Sequence, residues 1–140
     1  MDRKEFLFTL GKGTVAICAA GYLASCGSPT SPNVPSAPSN VDITLDLTQP
    51  ANSALNNVGG YIYSNSLIIA RISQTEFAAV SSICTHQGNT VYYDSPGKEF
   101  HCPAHGSNFS TSGSVINGPA GSPLKKYNTT LNGNLLRVFS

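Results

Sequence analysis

The amino-acid sequence predicts an all-β fold, a small antiparallel β sandwich or barrel, on three observations. After residue 26, apolar and polar residues alternate in short runs. Turn signals separate these runs at close spacing, and no window sustains helical periodicity for three turns. A chain of 140 residues makes one small domain at most. Charged residues are 11% of it, about half the usual share, with Ser, Thr, Asn and Gly at the polar positions. That composition suits an exported β-rich protein. The formal charge is +1, and three of the basic residues (Arg3, Lys4 and Lys12) fall in the N-terminal segment, so there is no basic field for a polyanion and nucleic-acid binding is excluded.

The chain opens with a charged start and an apolar stretch of mostly small residues, Gly13 to Ala24, that ends at a small-residue site. This reads as a signal peptide over residues 1–25, too short for a comfortable membrane span. Leu23-Ala24-Ser25-Cys26-Gly27 resembles the bacterial lipobox, in which the signal is removed before the Cys and its thiol is acylated; an uncleaved anchor is the alternative. Arg3-Lys4-Glu5-Phe6-Leu7 resembles a twin-arginine signal with Lys in place of the second Arg, and the general secretory route stays open beside it. Cys18 lies within the apolar stretch and reads as a small hydrophobe. Residues 26–40, rich in Pro and Ser, read as a lipid-anchored, extended tether with no core of its own. At roughly 3.1 Å per residue it would reach about 40 Å.

The domain is expected over residues 41–140. Val41, Ile43, Leu45 and Leu47 alternate with Asp42, Thr44 and Asp46, as in a half-buried strand. Further short runs follow at Gly60 to Tyr63, Leu67 to Ile72, Phe77 to Ile83, Thr90 to Tyr93, Glu99 to Cys102, Lys125 to Leu131 and Leu135 to Phe139. Ser64-Asn65, Ser95-Pro96-Gly97, Thr111-Ser112-Gly113 and Asn132-Gly133-Asn134 mark turns between them.

Two cysteines and two histidines fall into Cys84-Thr85-His86 and Cys102-Pro103-Ala104-His105, with fifteen residues between His86 and Cys102. Four soft or borderline ligands in two matched pairs indicate a metal site. Each pair would sit on one tight loop, and the intervening segment reads as a hairpin that brings the loops together. Two Cys and two His suit a 2Fe–2S centre in which thiolates hold one iron and imidazoles the other. They would also suit a structural zinc ion, whose ligands usually come as Cys-x-x-Cys and His-x-x-x-His pairs, or a plain Cys84–Cys102 disulfide that leaves the histidines unexplained. His101, one residue before the second pair, reads as a strand residue.

Cys84-Thr85-His86-Gln87-Gly88 and Cys102-Pro103-Ala104-His105-Gly106-Ser107 resemble the two cluster-binding boxes of the Rieske family. Asn117-Gly118-Pro119-Ala120-Gly121-Ser122-Pro123-Leu124 is similar to the family's third, proline loop. The resemblance implies a Rieske fold with an inserted cluster-binding part at about residues 84–124. It implies one 2Fe–2S cluster per chain, with Cys84, His86, Cys102 and His105 as metal ligands. Pro119 would lie in the loop covering the cluster, and Ser107 would donate a hydrogen bond to it. Phe109 stands where many members place a tuning Tyr. The extra cysteines that cross-link the loops in quinol-oxidising members correspond to Asn89 and Ala104, so that disulfide cannot form.

The expected function is one-electron transfer by a lipid-anchored protein outside the cytoplasmic membrane, with redox proteins as donor and acceptor and no catalytic site of its own. The rival reading makes the chain the Rieske subunit of a larger quinol- or arsenite-oxidising oxidoreductase, and a redox or iron–sulfur sensor without turnover is a third. No Ser-His-Asp set, phosphate-cradling loop or mononuclear-iron triad is recognisable.

Overall fold

The computed structural model describes residues 34–140. The expected signal peptide, Cys26 and the first part of the tether lie outside the described residues. From Asp42 the chain forms ten strands in two antiparallel sheets. These are β1 (Asp42–Asp46), β2 (Tyr61–Ser64), β3 (Leu67–Arg71), β4 (Phe77–Ser81), β5 (Tyr92–Asp94), β6 (Glu99–His101), β7 (Asn108–Ser110), β8 (Val115–Asn117), β9 (Lys126–Asn132) and β10 (Leu135–Phe139). The larger sheet runs β1-β10-β9-β4-β3-β2, and the smaller runs β5-β6-β7-β8. β4 and β9 are neighbours in the larger sheet, and the whole smaller sheet is inserted between them in the sequence. That is the all-β architecture with an inserted part that the sequence predicts.

Two apolar cores meet at β3 and β4. Leu67, Ile69, Phe77 and Ala79 pack with Val41, Leu47, Leu55, Tyr127, Leu136 and Val138. The alternate residues Ile68, Ala70, Ala78 and Val80 pack with Val91, Tyr93, Phe100, Phe109, Ala120, Leu124 and the two cysteines. Because successive strand side chains point to opposite faces, a strand covered on both faces needs an unbroken apolar run. Leu67-Ile68-Ile69-Ala70 and Phe77-Ala78-Ala79-Val80 are those runs, all eight buried. β1, covered on one face, keeps its alternation. Its Asp42 faces water in a two-bond fork with Arg137 of β10, at 2.8 and 2.7 Å.

The tight β2–β3 connection places Asn65 and Ser66 at φ of 49° and 63°, the pair of left-handed residues that a two-residue hairpin turn demands. The β5–β6 hairpin pairs Tyr92 with His101, Tyr93 with Phe100 and Asp94 with Glu99, as expected for the segment between the two Cys/His boxes. Three elements were not among the predicted runs. β7 and β8 have three residues each, with a bulge at Asn108/Phe109, too short for alternation to register. A 3-10 helix, Pro50–Asn56, buries Leu55 alone, and the Leu55 carbonyl accepts from Nη1 of Arg71 at 3.1 Å. Among the described residues no helix is long and apolar enough to cross a membrane.

The last seven residues of the Pro/Ser-rich segment, 34–40, lie against the domain. The Pro38 carbonyl accepts from the Tyr127 hydroxyl at 2.7 Å and from Nζ of Lys125 at 2.9 Å. Composition gives residues 26–40 as an extended tether; over 34–40 its seat on the domain has a physical reason in the buried Tyr127, whose hydroxyl needs a partner.

Leu136 is fully buried and Leu135 beside it is 48% exposed. Leu136→Ala should therefore lower stability by about 2–5 kcal/mol, and Leu135→Ala by a small fraction of that, in thermal unfolding followed by circular dichroism. The hydrogen bonds from Arg137 hold the Asp42 carboxyl below its ordinary 3.8. The stabilisation from this exposed pair is present above that value and is lost as pH falls through the lowered one. Asp42→Asn should flatten the acid limb of the stability profile at low salt and leave it unchanged at high salt.

Candidate metal centre

The three loops that leave and re-enter the small sheet meet at one end of it. The first follows β4 and carries Cys84 and His86. The second joins β6 to β7 and carries Cys102 and His105. The third joins β8 to β9 and carries Pro119. An isolated bridge between Ile83 and Thr90 closes the base of the first loop.

The first two loops have the same backbone plan. The amide of Cys84 donates to the carbonyl of Asn89 (2.7 Å), and the amide of Gly88 donates back to the carbonyl of Cys84 (2.8 Å). The amide of Cys102 likewise donates to the carbonyl of Ser107 (2.8 Å), and that of Gly106 to the carbonyl of Cys102 (3.0 Å). Closing a loop this way takes the chain through a left-handed residue four positions after the Cys. Gly88 and Gly106 supply it, at φ of 79° and 80°. In sequence both boxes are thus Cys-x-x-x-Gly, with the histidine second after the cysteine in one and third in the other.

The loops send their thiols inward and their imidazoles outward. Cys84 and Cys102 are buried free cysteines in the core that holds Phe100 and Phe109. His86 is half-buried and His105 exposed. Their rings meet edge to face, 4.8 Å between centroids, with the two Nδ1 atoms 3.3 Å apart. Imidazole nitrogens bound to one four-coordinate ion at roughly 2.0–2.1 Å are separated by about 3.3–3.4 Å, so this spacing fits two ligands of one metal. Among the described residues no three His, Cys, Asp or Glu side chains converge on a single ion position. Two ligands to each of two irons fit that arrangement, whereas a mononuclear zinc site does not.

Burial pushes the Cys84 thiol above its ordinary pKa, and the neighbouring Cys102 adds to the effect. The amides of His86 and Gln87, donating to the sulfur, act in the opposite sense. A thiol that is costly to ionise in an apolar core, yet already faced by amide donors, is a group that gives up its proton to a metal.

The third loop is fixed to both others. Oγ1 of Thr85 donates to the carbonyl of Ser122 at 2.6 Å, tying it to the first loop. The amide of Ala120 donates to Oγ of Ser107 at 3.1 Å, tying it to the second. Ser107 is fully buried, and since its oxygen accepts from Ala120, its own hydrogen is free to donate elsewhere. Ala120 is buried and Pro119 beside it is exposed.

Cys84, His86, Cys102, His105, Ser107 and Pro119 thus lie in these loops, whereas Phe109 is the middle residue of β7. Phe109 is fully buried in the same core as the cysteines. His101 behaves as a strand residue: Nδ1 bonds the side-chain oxygen of Asn108, and its ring lies tilted on Tyr92 at 5.3 Å. Sequence reasoning missed Thr85 as the clamp to the third loop, because a Thr between a Cys and a His carries no signal of where its hydroxyl will reach. It also missed the Pro38 contacts, for which a Tyr in a buried strand position is the available signal.

Comparison with known proteins gives the same answer as the geometry. The iron–sulfur subunit of the cytochrome b6-f complex of Chlorobaculum tepidum is 35% identical over 79 residues, 56% of this chain and 44% of that one. The corresponding subunit of Prochlorococcus marinus strain MIT 9301 is 41% identical over 54 residues, 39% of this chain and 30% of that one. The chain thus spans less than half the length of these relatives. Among solved structures, the plasma membrane Rieske protein PetC3 of Synechocystis PCC 6803 superposes with a TM-score of 0.51 at 28% identity, over 58% of this chain and 85% of that one. The ferredoxin of carbazole 1,9a-dioxygenase from Nocardioides aromaticivorans IC177 shares the fold at a TM-score of 0.52 and 22% identity, over 74% of this chain and 98% of that one. The profile of the Rieske [2Fe-2S] domain matches residues 48–128, which contain both Cys/His loops and the third loop. The chain belongs to the Rieske [2Fe-2S] domain family.

Proposed function

We propose that the chain is a one-electron carrier whose 2Fe–2S cluster is held by Cys84 and Cys102 at one iron and by His86 and His105 at the other. The observation that carries this reading is the pair of Nδ1 atoms 3.3 Å apart at the exposed end of two matched loops whose cysteines are buried. When bound, the cluster supplies a one-electron couple. The protein's part is to set its potential, its exposure and its docking surface. The core around Cys84 and Cys102 keeps water from the thiolates, and the histidine edge offers the short path for electrons in and out. Ser107 directs its free hydrogen to the cluster, Phe109 fills the neighbouring space without a hydroxyl, and the loop bearing Pro119 covers the top.

The same reading places the domain outside the cytoplasmic membrane. Cys26, directly after Leu-Ala-Ser, would carry the lipid anchor, and several acyl chains hold a membrane where one does so only marginally. A second reading, a Rieske subunit of a larger quinol-oxidising complex, is favoured by the relatives, which are named as cytochrome b6-f subunits. An arsenite-oxidising complex is the other form of that reading. Stoichiometric partners with haem or molybdenum, after purification in mild detergent, would select it over the separate carrier.

The purified chain should contain about two irons and two acid-labile sulfides, and its reduced form should give the low average g-value of nitrogen-ligated clusters. His86→Ala and His105→Ala should each lose most of the cluster, and His101→Ala should keep it; a zinc-only preparation after anaerobic reconstitution would overturn the assignment. Ser107→Ala should lower the potential in protein-film voltammetry by up to roughly 60–130 mV, the equivalent of a charged hydrogen bond worth roughly 1.5–3 kcal/mol. An unchanged potential would mean that the hydroxyl does not face the cluster. Cys26→Ser should abolish incorporation of radiolabelled lipid, and a variant that still carried label would refute acylation at that residue.

A further inference from the structure

The two cysteine loops share a backbone plan but differ in what lies against them. At Gly106 there is open space where a side chain would stand. At Gly88 a Cβ would fall 3.0 Å from Cδ of Pro35 and 3.8 Å from Cγ1 of Val34. Three residues beyond Pro35, the carbonyl of Pro38 takes two donors at once, the Tyr127 hydroxyl and the Lys125 ammonium. Lys125 also lies 5.3 Å over the Tyr127 ring, so the two donors are held together. Burial raises the Tyr127 phenol above its ordinary pKa and keeps it a donor at neutral pH.

Two prolines with fixed φ, at 35 and 38, make the intervening chain stiff. Fixing the carbonyl of Pro38 therefore fixes where Val34 and Pro35 sit. We infer that Val34–Pro38 is a brace seated on the first cysteine loop by Lys125 and Tyr127, restraining that loop in addition to the third loop, whereas the second is held by the third loop alone. The inference rests on the reading of these loops as the cluster's binding loops. Val34 and Pro35 stand against the first loop at Gly88, a contact that the second loop lacks at Gly106. Lys125 and Tyr127 are positioning residues in this account.

The test is hydrogen exchange, read residue by residue on the full-length chain, both loaded and free of iron. The amides of Cys84 and Gly88 report the first loop, and those of Cys102 and Gly106 the second, each pair bonded in the same way. In Lys125→Met/Tyr127→Phe, which keeps both apolar bodies and removes both donors, the first-loop amides should exchange about tenfold faster and the second-loop amides should change less than about twofold. Because Tyr127 is in the core, Val34→Gly/Pro35→Gly is the companion variant. It removes the brace surface without touching the domain, and the same selective acceleration is expected. Equal acceleration in both loops, or none in either variant, would overturn the brace. Selective acceleration in a protein that takes up zinc and no sulfide would keep the brace and refute the cluster assignment.

Discussion

Each of the two cysteines is held by a loop that its own backbone closes. The cysteine amide reaches the carbonyl five residues on, its carbonyl receives the amide four residues on, and a glycine at positive φ makes the turn between. Because both loops are closed identically and stand on adjoining strands, their side chains face one another. The thiols fall on the core side and the imidazoles on the water side. A metal that is chemically indifferent to sulfur or nitrogen would gain nothing from that segregation. Two irons in different ligand fields would make use of it, with the thiolates shielded and the imidazoles at the surface.

The rest of the molecule serves to keep those loops still. β3 and β4 are buried on both faces, so the core under the cysteines and the core of the larger sheet share a wall. A fault in either core is therefore expected to reach the site. The third loop is a strut with one bond to each of the others, through Thr85 and Ser107. The Ser107 oxygen accepts from the amide of Ala120 while its hydrogen stays free to donate, so a structural and an electronic role could fall to the same hydroxyl. Where Asn89 and Ala104 preclude a disulfide between the loops, these hydrogen bonds hold them, and a bound cluster would add to that.

Much of this could be read from the chain before any fold was known, because the chemistry is written in rare residue types. Cys84, His86, Cys102 and His105 are conspicuous among so few Cys and His, and the run of short alternating segments gives the class of fold. What escaped is what depends on geometry at a distance. Asn108-Phe109-Ser110 holds one buried residue, too few to display a period of two. Thr85 reaches a carbonyl 37 residues on. The Pro/Ser segment looks like a spacer because composition describes what a stretch can do alone, and its last residues take their place only when Tyr127 needs a partner for a buried hydroxyl. The equivalence of the loops was hidden because their histidines are one position out of step, although the cysteines and glycines are not.

The central claim is that His86 and His105 bind one iron through Nδ1, and nuclear coupling to the reduced cluster tests it most directly. Protein with histidine labelled with nitrogen-15 at Nδ1 alone, studied by electron–nuclear double resonance, should show two strongly coupled labelled nitrogens. His86→Ala and His105→Ala should each remove them together with the cluster. One coupled nitrogen, none, or coupling that follows a label at Nε2 instead would contradict the account.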